Sequence, residues 1–177
     1  PFRFTIRPGT SEIWLGDVGW GRWEEIDRVA NINGAAPLNF GWPCYEGPDR
    51  QPVYDGFNLT LCESLYAQAG AVTAPYHAIS HRESLQPGDT CTDAAPCTSA
   101  ISGLAFYAGG NYPASYDGAL FFADYGRHGI WSMLAGANGL PDPATRTPFI
   151  TGAQAPVSMK TGPGGDLFYA DITGTIY

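Results

Sequence analysis

Charge is scarce in this chain, and positive charge scarcer still. Asp, Glu, Lys and Arg make up 15% of its 177 residues, and only nine of them are Lys or Arg. A polyanion partner needs clustered cations to displace its counterions. Nine scattered ones in a chain of net charge −8 exclude nucleic acid as an expected partner. No apolar run approaches the length of a membrane-spanning helix, so a soluble chain with no membrane partner is expected. Signature motifs are missing as well. There is no G-x-S-x-G elbow and no phosphate loop ("GPGG" at 162–165 reads as a hairpin turn), which leaves a serine hydrolase or a nucleotide-binding enzyme unsupported. No C-x-x-C pair occurs and no His stands at ligand spacing from a Cys, which disfavours zinc.

What is present is turn chemistry. The 23 Gly and 15 Pro imply many turns and few long amphipathic helices. Cys44, Cys62, Cys91 and Cys97 lie in Pro/Gly-rich segments, where consecutive pairing would close the loops Cys44–Cys62 and Cys91–Cys97. Disulfides would suit an oxidising compartment, hence a secreted or periplasmic protein; free buried thiols are the alternative. "NLT" at Asn58 matches a glycosylation sequon. The chain starts at Pro1 and stops at "GTIY" in what reads as mid-strand, so a piece of a longer protein is expected, and a missing signal peptide carries no information about export.

The most informative feature is internal similarity. "EIWLGD" (12–17), "ALFFAD" (119–124) and "DLFYAD" (166–171) superpose position by position and end in Asp17, Asp124 and Asp171. A strand-like run precedes each of them: "FRFTIRP", "ISGLAFYAG" and "VSMKTGP". A third apolar run follows: "WEEIDRV", "GIWSML" or the cut "GTIY". The last two units are 47 residues apart, close to one propeller blade. Short antiparallel meanders of this kind become stable by radial stacking, so the expected fold is all-β. It is a β-propeller of four-stranded antiparallel blades, with about three blades present and six in the parent. Residues 1–177 then form a single partial propeller domain. The additional residues 32–98 read as part of a further blade plus a long excursion, with 44–97 stapled by disulfides. An Asp at each strand end is expected to hold turn backbone N–H groups, a structural role for Asp124 and Asp171.

Chemistry points to one segment, "DVGWGRWEEID" (17–27). Gly19 and Gly21 permit a sharp turn with exposed carbonyls. Glu24 and Glu25 follow, and strand alternation sends them to opposite faces, so that one could join those carbonyls. Such oxygens suit a hard cation, Ca²⁺ above all, although no D-x-D-x-D-G loop is present. His77 and His81 would form a ligand pair only on a helix, which Pro75 and Pro87 disfavour, and His128 reads as an exposed turn residue.

"PFRFTIRP", "DVGWGRWEEIDRV", "NFGWPCYEG" (39–47) and "ISGLAFYAGGNYPASYDGALFFADYGRHGIWSM", in this order, resemble the glucose/sorbosone dehydrogenase family of soluble quinoprotein sugar dehydrogenases. The resemblance implies a six-bladed propeller that binds pyrroloquinoline quinone (PQQ) and Ca²⁺ and oxidises an aldose by hydride transfer to the quinone. It implies that Gly19 and Trp20 offer backbone carbonyls to the cofactor's Ca²⁺, and that Glu25 sits beside a second Ca²⁺. Glu24 stands where the family has Asp, and Arg127 lies near a basic residue that approaches the quinone. The general-base histidine belongs to the family's N-terminal half, so no catalytic residue is expected in this chain, and the rest of its own propeller is an expected partner. The sequence departs from the family at Trp20, where the family has Pro, and at "GAQAPV" (152–157), which lacks the family's basic pair. Two functions stay open: a PQQ-dependent aldose dehydrogenase, inactive as this fragment, or a non-catalytic propeller that recognises a glycan or a protein.

Overall fold

The computed structural model describes residues 1–34 and 36–177. The chain enters through β1 (Arg3–Ile6), β2 (Ile13–Asp17) and β3 (Trp23–Val29), an antiparallel meander in which Asp17 opposes Glu25 and Ile13 opposes Val29. It then leaves the sheet through β4 (Tyr45–Glu46), β5 (Asp49–Arg50), α1 (Pro52–Gly56) and α2 (Thr60–Tyr66). It returns as β6 (His77–Ser80), which pairs with β3 and closes a four-stranded sheet of order β1-β2-β3-β6. Residues 77–80 therefore complete the first sheet and do not start a further one, which corrects the expected division of the excursion. The sequence hid this because β6 has only four residues, and nothing in "HAIS" marks its partner.

The second sheet is built from β7 (Ile101–Phe106), β8 (Leu120–Asp124), β9 (Gly129–Met133) and β10 (Thr147–Thr151), in spatial order β10-β9-β8-β7. β11 (Pro156–Thr161) and β12 (Leu167–Asp171) form a final hairpin, with one further bridge from Ala170 to Ile176. β7 packs against β1 and β2 on one side and against β11 on the other, so the first strands of the three units lie side by side. The described residues are thus mostly β, with four antiparallel sheets and short helices. No described helix is long and apolar enough to cross a membrane.

Alternation along the strands explains the packing. Trp14, Ile26 and Ile79 of the first sheet meet Leu104, Phe106, Phe122 and Trp131 of the second in one buried cluster. Phe121, Ile130 and Tyr107 point the other way, towards Met159 and Tyr169 of the final hairpin. Each large apolar side chain so buried contributes about 1.5–3 kcal/mol. The sheets approach closely at Gly16, where a Cβ would come within 2.7 Å of Leu104 Cδ1.

Both consecutive disulfides form, Cys44–Cys62 and Cys91–Cys97, with Cα–Cα distances of 5.2 and 5.1 Å. The first ties α2 to the base of β4, in a segment that contributes few side chains to either core. Two of the three strand-end aspartates act as expected. Asp124 accepts from the N–H groups of Ala100 and Arg127, each at 2.9 Å, and Asp171 accepts from those of Thr173 and Thr175, each at 2.9 Å.

Candidate functional site

The turn between β2 and β3 is held by a residue far away in sequence. Oε1 of Glu46 accepts the N–H groups of Gly21, Arg22 and Trp23 at 2.9, 2.7 and 3.1 Å. Burial raises the carboxyl pKa of Glu46, but these backbone bonds outweigh it and leave the group below the ordinary glutamate value. Gly19 is obligatory here, because a Cβ would lie 1.7 Å from the Trp23 carbonyl oxygen. The indole of Trp23 donates to Asp49 at 3.2 Å and seats the excursion against the turn. Among the described residues no hydrogen bond reaches the carbonyl oxygens of Gly19 or Trp20. The Trp20 side chain stands 58% exposed.

Glu24 and Glu25 do part to opposite faces of β3. Glu24 is completely buried between the first two sheets: its Oε1 lies 2.7 Å from His81 Nε2, and its Oε2 accepts the Ile101 N–H at 2.7 Å. Burial drives its pKa up, opposed by those two bonds and reinforced by Asp124. Glu24 is therefore a bridge between sheets and is not brought to the turn. The expectation that it shares a metal site with Gly19, Trp20 and Glu25 gives way to this geometry.

Glu25 faces the excursion, where its Oε1 accepts the Gly47 N–H at 2.5 Å. Its pKa is pushed up to about 7, by burial first and then by Asp17, Glu46 and Glu24. Asp27 shares that face and is 0% exposed, with both carboxyl oxygens lacking a partner. Burial, followed by the charges of Glu25 and Asp17, lifts it to about 8. Even so, no group of three or more His, Cys, Asp or Glu among the described residues is arranged to hold a metal ion.

Arg127 goes elsewhere. Its guanidinium is buried and donates to Ser99 Oγ at 3.0 Å, Glu83 O at 2.8 Å, Asp89 Oδ2 at 3.0 Å and Ser80 O at 3.0 Å. It binds the segment between β6 and β7 to the turn after β8, and those contacts occupy most of its donors.

A cavity of about 510 Å³ opens where the first strands of the three units begin. Phe2, Ile101 and Val157 line it from β1, β7 and β11 or their approaches. Val18, Tyr125 and Ile172 line it from the three turns, and each directly follows a repeated aspartate. Sequence reasoning stopped at Asp17, Asp124 and Asp171 and missed these next residues, although the repeat itself marks them. Glu46 was missed for a different reason: nothing local in "CYEG" indicates what its carboxylate holds. Asp17 is the charged side chain on the cavity wall, and among the described residues no Lys or Arg side chain lines it. Its wall is mostly apolar, and its own side chains give an anionic ligand little purchase.

No family model matches the sequence, and no curated protein is similar to it. Solved structures are similar. A glucose dehydrogenase shares 19% identity at a TM-score of 0.59, over 94% of this chain and 40% of its own. The apo form of the soluble aldose sugar dehydrogenase from Escherichia coli shares 19% identity at a TM-score of 0.55, over 94% of this chain and 40% of its own. The PQQ-bound aldose sugar dehydrogenase from Streptomyces coelicolor shares 15% identity at a TM-score of 0.53, over 90% of this chain and 34% of its own. The chain therefore has the fold of about two-fifths of a sugar dehydrogenase of this kind.

Proposed function

We propose that the chain is the C-terminal part of a PQQ-dependent aldose dehydrogenase, about three blades of a six-bladed β-propeller. In this reading the cavity at the strand ends is where quinone and sugar meet. The observation that carries the proposal is that cavity: it sits where three like units converge, each contributing the residue after its repeated aspartate. Open α/β sheets and propellers alike bind ligands where strand ends leave such a space.

The residues fit Ca²⁺ better than they fit the quinone. Gly19 and Trp20 offer two carbonyl oxygens without hydrogen-bond donors, which is hard-cation chemistry. Glu25 is the carboxylate that could join a cation on its own face of β3, once deprotonated. The carboxylates of PQQ find no cation on the cavity wall, and Arg127 is engaged elsewhere. A bound quinone would supply the hydride acceptor. This chain's part is then to present carbonyl oxygens, to shape an apolar wall and to keep water out. The proton acceptor and the cations for the quinone would come from the remainder of the propeller. The two disulfides suit a secreted or periplasmic setting.

The missing cation favours a second reading, a propeller that binds a glycan or protein without redox chemistry. One experiment separates the two. The full-length protein is titrated by calorimetry with PQQ in the presence of Ca²⁺, then assayed for dye reduction with a panel of aldoses. Quinone heat and dye reduction are expected; neither heat nor reduction would sink the dehydrogenase.

A further inference from the structure

The turn that carries Gly19 also presents a side chain that the proposed cofactor site does not use. Trp20 meets Trp42 and Tyr54 in a triangle of rings, with centroids 6.3 and 5.9 Å from Trp20 and 5.9 Å between the other two. Phe57 continues the row 6.0 Å beyond Tyr54. Trp42 is 53% exposed and Phe57 61%, so with Trp20 the row is open to solvent. All four pairs are edge-to-face, so each contact turns one ring's edge to part of its neighbour's face, and the outer faces stand steeply inclined to one another without being stacked over.

We propose that Trp20, Trp42, Tyr54 and Phe57 form a platform that stacks on the pyranose rings of an uncharged oligosaccharide. The polar tips of the rings select this occupant. Anything that covers the row also covers the indole N–H groups of Trp20 and Trp42 and the hydroxyl of Tyr54. None of these has a hydrogen-bond partner among the described residues, whereas Trp23 donates to Asp49 and Tyr66 to the Cys44 carbonyl. A purely apolar partner would bury these donors unpaired, a state that is strongly disfavoured. A pyranose offers C–H faces for the rings and hydroxyl oxygens at their rims. Acidic glycans are disfavoured by a net charge of −8.

The platform is assembled before any ligand arrives, which lowers the ordering cost of binding. Glu46 fixes the turn under Trp20, the Cys44–Cys62 disulfide lies two residues beyond Trp42, and Gln51 caps the helix that bears Tyr54. Trp20 is two residues from Val18 of the cavity wall. A saccharide on the platform could therefore extend its reducing end into the cavity; that direction rests on the dehydrogenase reading, whereas the platform does not.

The test is titration of the protein with cellohexaose, maltohexaose and xylohexaose, followed by calorimetry and tryptophan fluorescence. At least one should bind with a change in tryptophan emission, and Trp20→Ala or Trp42→Ala should weaken it at least about tenfold, or 1.4 kcal/mol. Trp42→Phe, which keeps an aromatic face, should retain most of the affinity and guards against a folding defect. No binding by any of the three, or binding unchanged in the Trp20→Ala/Trp42→Ala double variant, overturns the platform. Glucose-dependent dye reduction is read separately, on the full-length protein supplied with PQQ and Ca²⁺. Oligosaccharide binding without dye reduction keeps the platform and sinks the dehydrogenase, and the converse result sinks only the platform.

Discussion

Replacing Asp27 by Asn tests the most exacting electrostatic feature of the fold. Asp27 is 0% exposed, has no partner for either oxygen and shares its face with Glu25 and Asp17. Its pKa rises from 3.8 to about 8 on folding, so the folded protein holds a proton that the unfolded chain releases. The sign follows. A carboxyl with a raised folded pKa leaves stability intact below its unfolded value and erodes it as pH climbs towards the folded one. His77 works in the opposite sense, because burial and Arg146 lower it from 6.5 to about 4; its contribution grows with pH and levels off about one unit above 6.5, with only about 0.4 kcal/mol still to come beyond 6.5. The window in which Asp27 dominates is therefore pH 6.5 to 8. Over that span Asp27 alone should cost about 1.6 kcal/mol, from 1.36 kcal/mol per proton per pH unit with occupancy falling towards one half. Glu25, raised to about 7, adds a smaller loss of the same sign. Urea unfolding midpoints across the window, for wild type and Asp27→Asn, measure the effect. The variant should lose most of the slope and become the more stable protein at the alkaline end. An unchanged slope in Asp27→Asn, or a wild type whose stability rises between these pH values, would refute the reasoning.

Other perturbations have equally definite outcomes. Cys44→Ser/Cys62→Ser opens a loop of 18 residues and should cost about 3 kcal/mol, seen as a lower thermal midpoint by calorimetry. Ca²⁺ affinity, if Glu25 is a ligand, should rise as pH passes about 7 and vanish in Glu25→Gln; calorimetric titration at two pH values decides this. Phe4 and Ile6 stand exposed on β1 and Phe2 stands exposed just before it, so this chain alone should self-associate, and Phe4→Asp should shift its sedimentation towards monomer.

The sequence carried the fold further than it carried the site. The repeat "xLFxAD" is legible because each copy occupies the second strand of its unit, paired antiparallel with the strand before it. β10 is not legible, because "TPFIT" holds a proline and pairs through a bulge. The opposite faces of Glu24 and Glu25 follow from strand period alone. What each carboxylate meets depends on contacts with His81, Ile101 and Gly47, between 22 and 77 residues away, and no local pattern encodes them. Arg127 shows the same limit: being next to a functional-looking turn in sequence did not decide which way a long side chain reached.

The residues that follow the repeated aspartates have a consequence for how such a cavity can change. In the second and third units the Asp side chain secures its own turn, so the next position carries almost no folding duty. Tyr125 and Ile172 can then be exchanged one at a time, each altering a different sector of the same wall. Architecture and ligand preference are thereby written in adjacent but separable letters. A cavity of this design can gain or lose a charge by a single substitution while the sheets beneath it stay as they are.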